Sequence, residues 1–323
     1  MIIDNKLAKE PKISINITYF NLGSFIQDCV DSILRQNYQN FEIIIVNDGS
    51  DEANSKILTK IINDKIKIIN LSENMGQLLA FEEGLKISEG EFVCMVDADD
   101  ILLPNYLQTL LYVHLSNNFA LVSASSGEIN ENNEIVSLKS NSNPLYKKQK
   151  EINFKDLENI FNNSEKLTLK ENKEPFGLWN WNPSTSAMFR KSALDILKYF
   201  PDKKYWKTGA DKVIFSLLDL VGSSVNISAV CYLYRHHSLN NSQTSLTMGK
   251  KKYLNENYIK KLIKWNKKLR FDTLKMFSDS KKELIEKYNK INYLKMLLKV
   301  IFCFNVKFCA KVIKTFAHKL IRV

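Results

Sequence analysis

Residues 92–100 read Phe92-Val93-Cys94-Met95-Val96-Asp97-Ala98-Asp99-Asp100, an apolar run that ends in three aspartates. A short apolar run of this kind is typical of a strand that is buried on both faces of a sheet. Asp97 and Asp99 are two residues apart, so at the end of an extended strand their carboxylates would point to the same side. Such a pair can hold a divalent cation, which relieves the repulsion between the carboxylates. The alternative is an aspartate-rich turn whose last residues cap a helix opened by Pro104.

Similar apolar runs alternate with segments of helical spacing through the first 125 residues. Strands are predicted at 13–18, 41–46, 66–69, 92–96 and 120–123, and helices at 24–34, 51–62, 76–87 and 104–115. This alternation predicts an α/β fold with a mostly parallel central sheet and helices on both faces. Ligands of such sheets bind beyond the carboxyl ends of the strands, which is where the acidic residues lie.

The second half of the chain has a weaker pattern. Residues 126–173 are polar and rich in Asn, Lys and Ser, and we expect an irregular, mobile excursion there with a hairpin turn at 130–133. Strands at 183–190 and 224–233 and helices at 191–198 and 210–221 are predicted to follow it. Helices continue from residue 250 to the end.

The net charge of +11 belongs to the C-terminal part of the chain. Residues 250–323 hold 21 of the 46 Lys and Arg but only 5 of the 35 Asp and Glu, so their net charge is +16 and that of the remainder is −5. In the last predicted helix, basic side chains recur every three or four residues and form one stripe: Lys307, Lys311, Lys314, His318 and Arg322. The stripe predicts contact with an anionic membrane surface, or else the solvated face of a helix that packs on the rest of the domain. Nucleic acid is not an expected partner, because no binding motif accompanies the charge.

The five cysteines are scattered and odd in number, and most lie in apolar runs, which is typical of buried thiols in a reducing compartment. The first residues have neither the basic opening nor the apolar stretch of a secretory signal. We therefore expect a cytoplasmic protein, with the inner face of the cytoplasmic membrane as the place where its tail could rest.

Polar residues end the first two predicted strands, next to the acidic stretch in the expected sheet. Asp48 offers a carboxylate that could accept from a ring N–H such as that of uracil, and an aromatic ring at Tyr19 or Phe20 could stack on the base. The alternative for Asn47, Gly49 and Ser50 is a plain turn between a strand and a helix.

Six motifs occur in a recognisable order: Ile17-Thr18-Tyr19-Phe20-Asn21, Ser32-Ile33-Leu34-Arg35-Gln36-Asn37-Tyr38, residues 41–50, Asn74-Met75-Gly76, Gly90-Glu91-Phe92 and Asp97-Ala98-Asp99-Asp100. Together they resemble the family 2 inverting glycosyltransferases of GT-A fold. The resemblance is dense over residues 11–125 and sparser to about residue 245. It implies a GT-A domain with a nucleotide-sugar-binding half at 10–125 and an acceptor-binding half at 126–245, followed by a basic amphipathic helical tail at 246–323.

The resemblance also implies a nucleotide-sugar donor, most often a UDP-sugar, and a Mn²⁺ or Mg²⁺ ion at the Asp-x-Asp motif. By position, Thr18 and Asp48 match the family's nucleobase and ribose positions, and Asp97 and Asp99 match its Asp-x-Asp, with Asp100 as the adjoining acid and a further metal candidate. Phe20, Asn21 and Asp97 complete the candidate donor nucleotide-binding residues. A metal that bridges the two phosphates neutralises the charge that builds on the leaving nucleoside diphosphate.

Inverting transfer needs a base that takes the proton from the attacking acceptor hydroxyl. The family supplies it from an acid late in the domain, commonly Glu-Asp at the start of a helix, and the matching segment here places Ala210 before Asp211. Asp211 is therefore the candidate catalytic base. A helix-capping role is its structural alternative, and Asp202 and Asp219 are its competitors.

Three further sites follow from the resemblance and from side-chain chemistry. Residues 234–237 read Tyr-Arg-His-His and resemble the stretch that closes the family's catalytic domain, so Arg235 could pair with the diphosphate and His237 could reach the metal. A surface loop with two solvated histidines is the alternative. Trp179 and Trp181 could stack on an acceptor sugar, or could be ordinary core or rim aromatics.

The expected reaction is transfer of a single hexose or N-acetylhexosamine to a hydroxyl of a glycan or lipid-linked acceptor in bacterial surface polysaccharide synthesis. The Gln-x-x-Arg-Trp motif of processive synthases is absent from the sequence, which favours one sugar per encounter. A non-catalytic nucleotide-sugar-binding or assembly protein of the same fold is the main alternative. A nucleotide-dependent oxidoreductase is disfavoured, because Asn21-Leu22-Gly23 stands where its glycine-rich turn would be.

Overall fold

The computed structural model describes residues 10–138, 167–171, 176, 183–240 and 256–302 of the chain. Ten strands form one mixed sheet: β1 (Ile13–Tyr19), β2 (Phe41–Asn47), β3 (Ile66–Asn70), β4 (Phe92–Asp97), β5 (Ile101–Leu102), β6 (Phe119–Asn130), β7 (Ile135–Leu138), β8 (Leu169–Glu171), β9 (Ala187–Arg190) and β10 (Ser223–His236). The α-helices of the described residues are α1 (Ile26–Leu34), α2 (Glu52–Leu58), α3 (Gln77–Ile87), α4 (Tyr106–Ser116), α5 (Lys191–Leu194), α6 (Ala210–Val221), α7 (Glu256–Asp279) and α8 (Lys281–Phe302).

The strand order is β3-β2-β1-β4-β9-β6-β10-β5, with β7 paired to β6 and β8 paired to β10. The block β3-β2-β1-β4 is parallel throughout, as the alternation of strands and helices predicted. In the other half, β9 runs antiparallel to both β4 and β6, while β6 and β10 are parallel to each other. The α/β prediction is confirmed, and the site lies in the parallel block.

Helices cover both faces of this sheet, because successive side chains of each strand point to opposite sides. Ile13, Ile15 and Ile17 of β1 join a core on one face that includes residues of α1 and α4. Val93 and Met95 of β4 join a second core, which α3 and α6 cover. The near-continuous apolar strands are explained by these two cores.

The C-terminal helices α7 and α8 form an antiparallel pair that packs on the second core. Tyr293 in α8 donates its hydroxyl hydrogen bond to the carbonyl of Phe277 in α7, at 3.0 Å. Lys299 of α8 donates at 2.8 Å to Asp219 Oδ2 in α6. The predicted helical extension is confirmed over residues 256–302, and the basic stripe from Lys307 onward lies outside the described residues.

The expectation of an irregular excursion from residue 126 is wrong where the structure describes this stretch. Strand β6 continues to Asn130, β7 returns beside it, and β8 pairs with β10. The polar residues after Ser125 form strands because β10 supplies a long partner for their backbone groups. The predicted hairpin turn is confirmed, since the N–H of Asn130 donates to the carbonyl of Glu134 at 3.0 Å.

Cysteines in the described part of the chain fit the prediction of buried thiols, since Cys29, Cys94 and Cys231 are buried and unpaired. Cys303 and Cys309 lie outside the described residues. Within the described ranges, no helix is both long and apolar enough to pass through a membrane.

Candidate donor and catalytic site

Strand register brings the predicted polar strand ends together. Thr18 of β1 is paired with Asp97 of β4, and the next residue, Tyr19, is paired with Asn47 of β2. Tyr19 is fully buried and its hydroxyl donates to the carbonyl of Asn54 at 2.9 Å, so it is a packing residue. Phe20 is 44% exposed. Of the two aromatic candidates for stacking on a base, Phe20 therefore has the accessible ring.

Asn21 joins the end of β1 to the loop after β2. Its backbone has a positive φ of 54°, its N–H donates to Ser50 Oγ at 3.0 Å, and its Oδ1 accepts from the N–H of Asp51 at 3.0 Å. Asparagine tolerates this backbone conformation better than most residues. These contacts give Asn21 a structural role, and its contact with a donor stays a prediction.

Asp48 is almost completely buried at the end of β2. Its Oδ1 accepts from the N–H of Met75 at 2.7 Å and its Oδ2 accepts from the N–H of Gly76 at 2.9 Å. Gly49 permits this close approach, because a Cβ there would lie 2.3 Å from the carbonyl carbon of Glu73. Each carboxylate oxygen has a second lone pair, so Asp48 can still accept from a ring N–H.

Two side chains hold the carboxylate of Asp97. Gln77 Nε2, in the first turn of α3, donates to Oδ1 at 2.7 Å, and Ser184 Oγ donates to Oδ2 at 2.6 Å. The backbone N–H of Asp97 donates to Thr185 Oγ1 at 3.0 Å. Burial, reinforced by the charge of Asp99, raises the pKa of Asp97 to about 7.

Asp99 lies in a turn that begins directly after β4, so the alternation of side chains along a strand is not what orients it. His237 Nε2 lies 2.7 Å from Asp99 Oδ2, and Asn240 Nδ2 donates to the same oxygen at 3.2 Å. The N–H of Leu239 donates to His237 Nδ1 at 3.2 Å, which makes Nδ1 an acceptor and Nε2 the donor to Asp99. In this arrangement both ring nitrogens of His237 are engaged. Its predicted contact with a metal would require the Asp99 hydrogen bond to break.

Asp100 is completely buried beneath the site. Its Oδ1 accepts from the backbone N–H of Arg235 at 3.0 Å, which ties the turn after β4 to β10. Burial, together with the neighbouring Asp99 and Asp97, raises the pKa of Asp100 well above its usual range. The arrangement favours a structural role for Asp100 over the predicted metal contact.

Arg235 is also completely buried, and each of its three guanidinium nitrogens donates a hydrogen bond within the protein. Nε donates to the carbonyl of Asp99 at 2.7 Å, Nη1 donates to Asn133 Oδ1, and Nη2 donates to Asp28 Oδ2 at 3.2 Å. The ring of Phe25 lies 5.0 Å from the guanidinium carbon. The guanidinium thus holds α1, the β6–β7 turn and the turn after β4 together, and its geometry does not support the predicted pairing with a diphosphate.

Replacing Arg235 by Met should lower the apparent free energy of unfolding by about 3 kcal/mol, because three buried or half-buried acceptors lose their donor. Asp28→Asn should cost less than about 1 kcal/mol, since the Asp28 side chain is 42% exposed. Urea unfolding followed by tryptophan fluorescence measures both values. Equal losses in the two variants would contradict a structural role for the guanidinium.

Asp211 lies in the first turn of α6, as the sequence predicted. The residue that precedes the helix is Gly209, with φ of 83°, so Asp211 is not the helix cap. Its Oδ1 accepts from the N–H of Lys212 at 2.9 Å, and burial raises its pKa to about 6. The charge of Asp211 contributes to the raised pKa of Asp97, so the two carboxylates lie close enough to interact.

The two competitors of Asp211 have structural partners. Asp202 is bonded to Lys268 at 2.5 Å in α7. Asp219 lies eight residues further along α6, about 12 Å from Asp211 along the helix axis. It accepts from Ser224 Oγ at 2.5 Å and from Lys299. Asp211 is the one of the three whose charge raises the pKa of Asp97, which places it at the site.

The number of protein ligands that a metal ion needs here depends on how many ligands a bound diphosphate supplies. In the part of the chain that the structure describes, no three side chains of His, Cys, Asp or Glu converge to enclose a metal ion. Mg²⁺ and similar ions bound to diphosphates commonly need only one or two protein carboxylates. Asp99 suits this role, because both hydrogen bonds to its carboxylate go to Oδ2 and leave Oδ1 unbonded within the described residues. Asp99 therefore fits a cation whose other ligands come from a bound diphosphate, and Asp97, two residues earlier, is the second candidate ligand.

Sequence reasoning missed the residues that orient these carboxylates. Gln77 follows the Asn74-Met75-Gly76 motif directly, so its position beside the strand ends could have been found from that motif. Ser184 and Asn240 have no local signal, since each meets its aspartate only through the sheet topology. Trp179 and Trp181, the predicted acceptor-stacking residues, lie outside the described residues.

Comparison with known protein families shows to which family this chain belongs. The family described as glycosyl transferase family 2 matches residues 14–196, which is more than half of the chain. The chain belongs to glycosyl transferase family 2. The matched segment begins one residue into β1 and includes the rest of the parallel block and the Asp97–Asp100 turn, which confirms the family resemblance.

Individual relatives agree with this family membership. An uncharacterized glycosyltransferase of Nostoc sp. is 26% identical over 72% of this chain and 67% of its own length. The teichoic acid poly(glycerol phosphate) polymerase of Staphylococcus epidermidis is 35% identical over 34% of this chain, and the glycosyltransferase GlyG of Streptococcus pneumoniae is 33% identical over 30%. The matched stretch spans only 16% of the polymerase and 33% of GlyG.

The fold is shared with a solved protein structure. The S. aureus TarS structure with UDP-GlcNAc superposes with a TM-score of 0.52 at 16% identity, covering 90% of this chain and 79% of that one. At this identity the likeness concerns the fold alone. It confirms the GT-A prediction for this family 2 chain.

Proposed function

We propose that this chain transfers one hexose or N-acetylhexosamine from a UDP-sugar to a hydroxyl of a glycan or lipid-linked acceptor, with inversion. The observation that carries the proposal is the placement of Asp97 and Asp99 at and just after the end of β4, together with Asp211 in the first turn of α6, whose charge acts on Asp97. Carboxylates at a strand end suit a metal-bound diphosphate, and a separate carboxylate of raised pKa suits a general base.

The residues divide into a donor side and an acceptor side. Asp48, Thr18 and Phe20 lie at the ends of β1 and β2 and would bind and stack on the nucleoside. Asp97 and Asp99 would hold a Mn²⁺ or Mg²⁺ ion, whose charge would stabilise the departing diphosphate. Asp211 would accept the proton of the acceptor hydroxyl as that oxygen attacks the anomeric carbon.

Surface polysaccharide synthesis is the proposed setting, and family membership supports it. One relative is, by its name, a polymerase of the poly(glycerol phosphate) of teichoic acid. We also propose that the enzyme is cytoplasmic and rests through its basic tail on the inner face of the cytoplasmic membrane. The net charge of +16 in residues 250–323 supports this contact.

A nucleotide-sugar panel tests the donor. In the presence of Mn²⁺, a true donor at 100 times its Kd should raise the Tm by about 5 °C, because it binds only the folded protein. UDP-hexoses and UDP-N-acetylhexosamines should give this shift, and GDP-sugars and ADP-sugars serve as controls. No shift with any UDP-sugar would contradict the proposed donor class.

A non-catalytic protein that binds nucleotide sugars is the remaining alternative. It would show the same thermal shift but would release no UDP with any acceptor. Release of UDP that depends on both acceptor and Asp211 would exclude it.

A further inference from the structure

The outer side of the C-terminal helix pair, α7 and α8, carries large apolar side chains that are exposed to solvent. Ile291, Leu294, Leu298 and Ile301 of α8 are between 40% and 67% exposed, and Phe271 of α7 is 64% exposed. Scattered single exposures of this kind are ordinary on a soluble protein, whereas a cluster on one side indicates an interaction surface.

The four apolar residues of α8 form one stripe. They are three, four and three residues apart, which places them on a single face of the helix. Their stripe lies on the segment that starts after Asn289, where a positive φ of 61° interrupts α8 and Asn289 Oδ1 accepts from the N–H of Asn292 at 3.0 Å. The buried side of the same segment, formed by Tyr293, Met296 and Val300, packs into the second core. This segment therefore has two apolar faces, and only one of them meets the core.

Helix α7 carries a basic stripe beside it. Four lysines and one aromatic residue recur every three or four positions, and all are exposed: Lys260, Lys264, Lys267, Phe271 and Lys275. The opposite side of α7, with Leu269, Met276 and Phe277, is buried in the same core as α8.

The two stripes share one side of the molecule. Tyr293 of α8 is bonded to the carbonyl of Phe277, and Arg270 of α7 donates to the carbonyl of Ile301 at 3.1 Å, so the helices are direct neighbours. Because both helices bury their inner faces in one core, their exposed faces point away from it together. We call these residues the outer hairpin face: Lys260, Lys264, Lys267, Phe271, Lys275, Ile291, Leu294, Leu298 and Ile301.

Charge decides which occupant fits this face. Residues 256–302 hold 13 Lys and Arg against 5 Asp and Glu, a net charge of +8, and Asp272 is one of the few acids and is buried. An apolar stripe bordered by lysines suits a bilayer, in which acyl chains receive the apolar side chains and anionic headgroups receive the ammonium groups. A soluble polyanion would use the lysines but not the apolar stripe.

We propose that the outer hairpin face binds the surface of an anionic lipid bilayer. This inference rests on the membrane contact of the proposed function, but it places that contact on α7 and α8 and needs no contribution from residues 303–323. The enzyme would then be held at the bilayer by a part of the chain that packs directly on the catalytic domain.

Cosedimentation of the full chain with lipid vesicles tests the inference. Vesicles of phosphatidylcholine alone are compared with vesicles that also contain phosphatidylglycerol, and the protein should sediment with the second kind only. Two double variants, Lys264→Glu/Lys267→Glu and Leu294→Ser/Leu298→Ser, should each weaken binding by about tenfold or more. All four side chains are exposed, so the fold should be unaffected.

Matched controls carry the same chemical changes elsewhere. Lys56→Glu/Lys60→Glu reverses two exposed charges, one in the last turn of α2 and one just after it. Ile62→Ser removes an apolar side chain that is 89% exposed. Both control variants should bind vesicles like the unmodified protein.

Several outcomes would overturn the inference. These are absence of sedimentation by the unmodified protein, equal binding to neutral vesicles, or unchanged binding by either hairpin variant. Loss of binding in the lysine variant alone would indicate a polyanion site instead. Loss only in Lys307→Glu/Lys311→Glu/Lys314→Glu would move the contact to the end of the chain. The thermal shift with UDP-sugars, measured on the same variants, reports separately on the proposed function and should not change.

Discussion

Replacing Asp211 by Asn is expected to lower kcat/KM for sugar transfer by about 10³-fold, the usual contribution of a general base. The amide keeps the size of the side chain but cannot take the proton of the acceptor hydroxyl. Binding of the donor should persist, because the proposed function gives Asp211 a contact with the acceptor and none with the donor. The measurement is UDP release at saturating donor, with donor binding followed by thermal shift.

The pH profile gives this prediction a second readout. Burial raises the pKa of Asp211 to about 6, so the carboxyl is protonated below that pH and cannot act as a base. Protonation of Asp211 should therefore lower the kcat/KM of the unmodified enzyme below about pH 6, in addition to the effect of protonating Asp97, whose pKa is about 7, and Asp211→Asn should lose only the Asp211 contribution. Asp202→Asn is the matched control, since Asp202 bonds Lys268 at the surface, and its activity should stay normal. An unchanged rate in Asp211→Asn would disprove the assignment.

Replacing Asp99 by Asn is expected to lower kcat/KM by about 10³-fold, because stabilisation of the leaving diphosphate by a metal is worth several kcal/mol. Asn keeps the size of Asp99 and an oxygen acceptor for His237 and Asn240, but removes the negative charge. The Mn²⁺ concentration that gives half-maximal activity should also rise in the Asp99→Asn variant. A titration of UDP release against Mn²⁺ measures both effects.

Asp64→Asn serves as the control for Asp99→Asn, because Asp64 is an exposed aspartate between α2 and β3. Its activity and Mn²⁺ dependence should be normal. If Asp99→Asn kept the full rate and the same half-maximal Mn²⁺ concentration, Asp99 would not be a metal ligand.

The sequence predicted the parallel block because its information is local. Runs such as residues 41–46 are apolar at nearly every position, which only a strand buried on both faces requires, and the structure places β2 between β1 and β3. The placement of Thr18 beside Asp97 followed from the rule that parallel strands end at one edge of the sheet. The start of α6 was also found, since its apolar spacing is strong.

Contacts between residues that lie far apart in the sequence could not be predicted. Arg235 looked available for a diphosphate, yet its guanidinium is taken by Asp28, which lies 207 residues earlier in the chain. The antiparallel insertion of β9 between β4 and β6 brings Ser184 to Asp97, and no pattern near Ser184 indicates it. The polar half of β6 read as a loop because its partner β10 is distant in sequence.

The contact between Gly209 and Trp265 has a consequence for where the enzyme can act. A Cβ at Gly209 would come within 3.0 Å of the Trp265 ring, so the start of α6 rests directly on α7. Asp211, two residues further on, therefore lies on the part of α6 that packs against the hairpin. If the hairpin lies on a lipid surface, this packing sets the distance of Asp211 from the lipid. The acceptors that react would then be those whose hydroxyls lie at the same distance from the lipid.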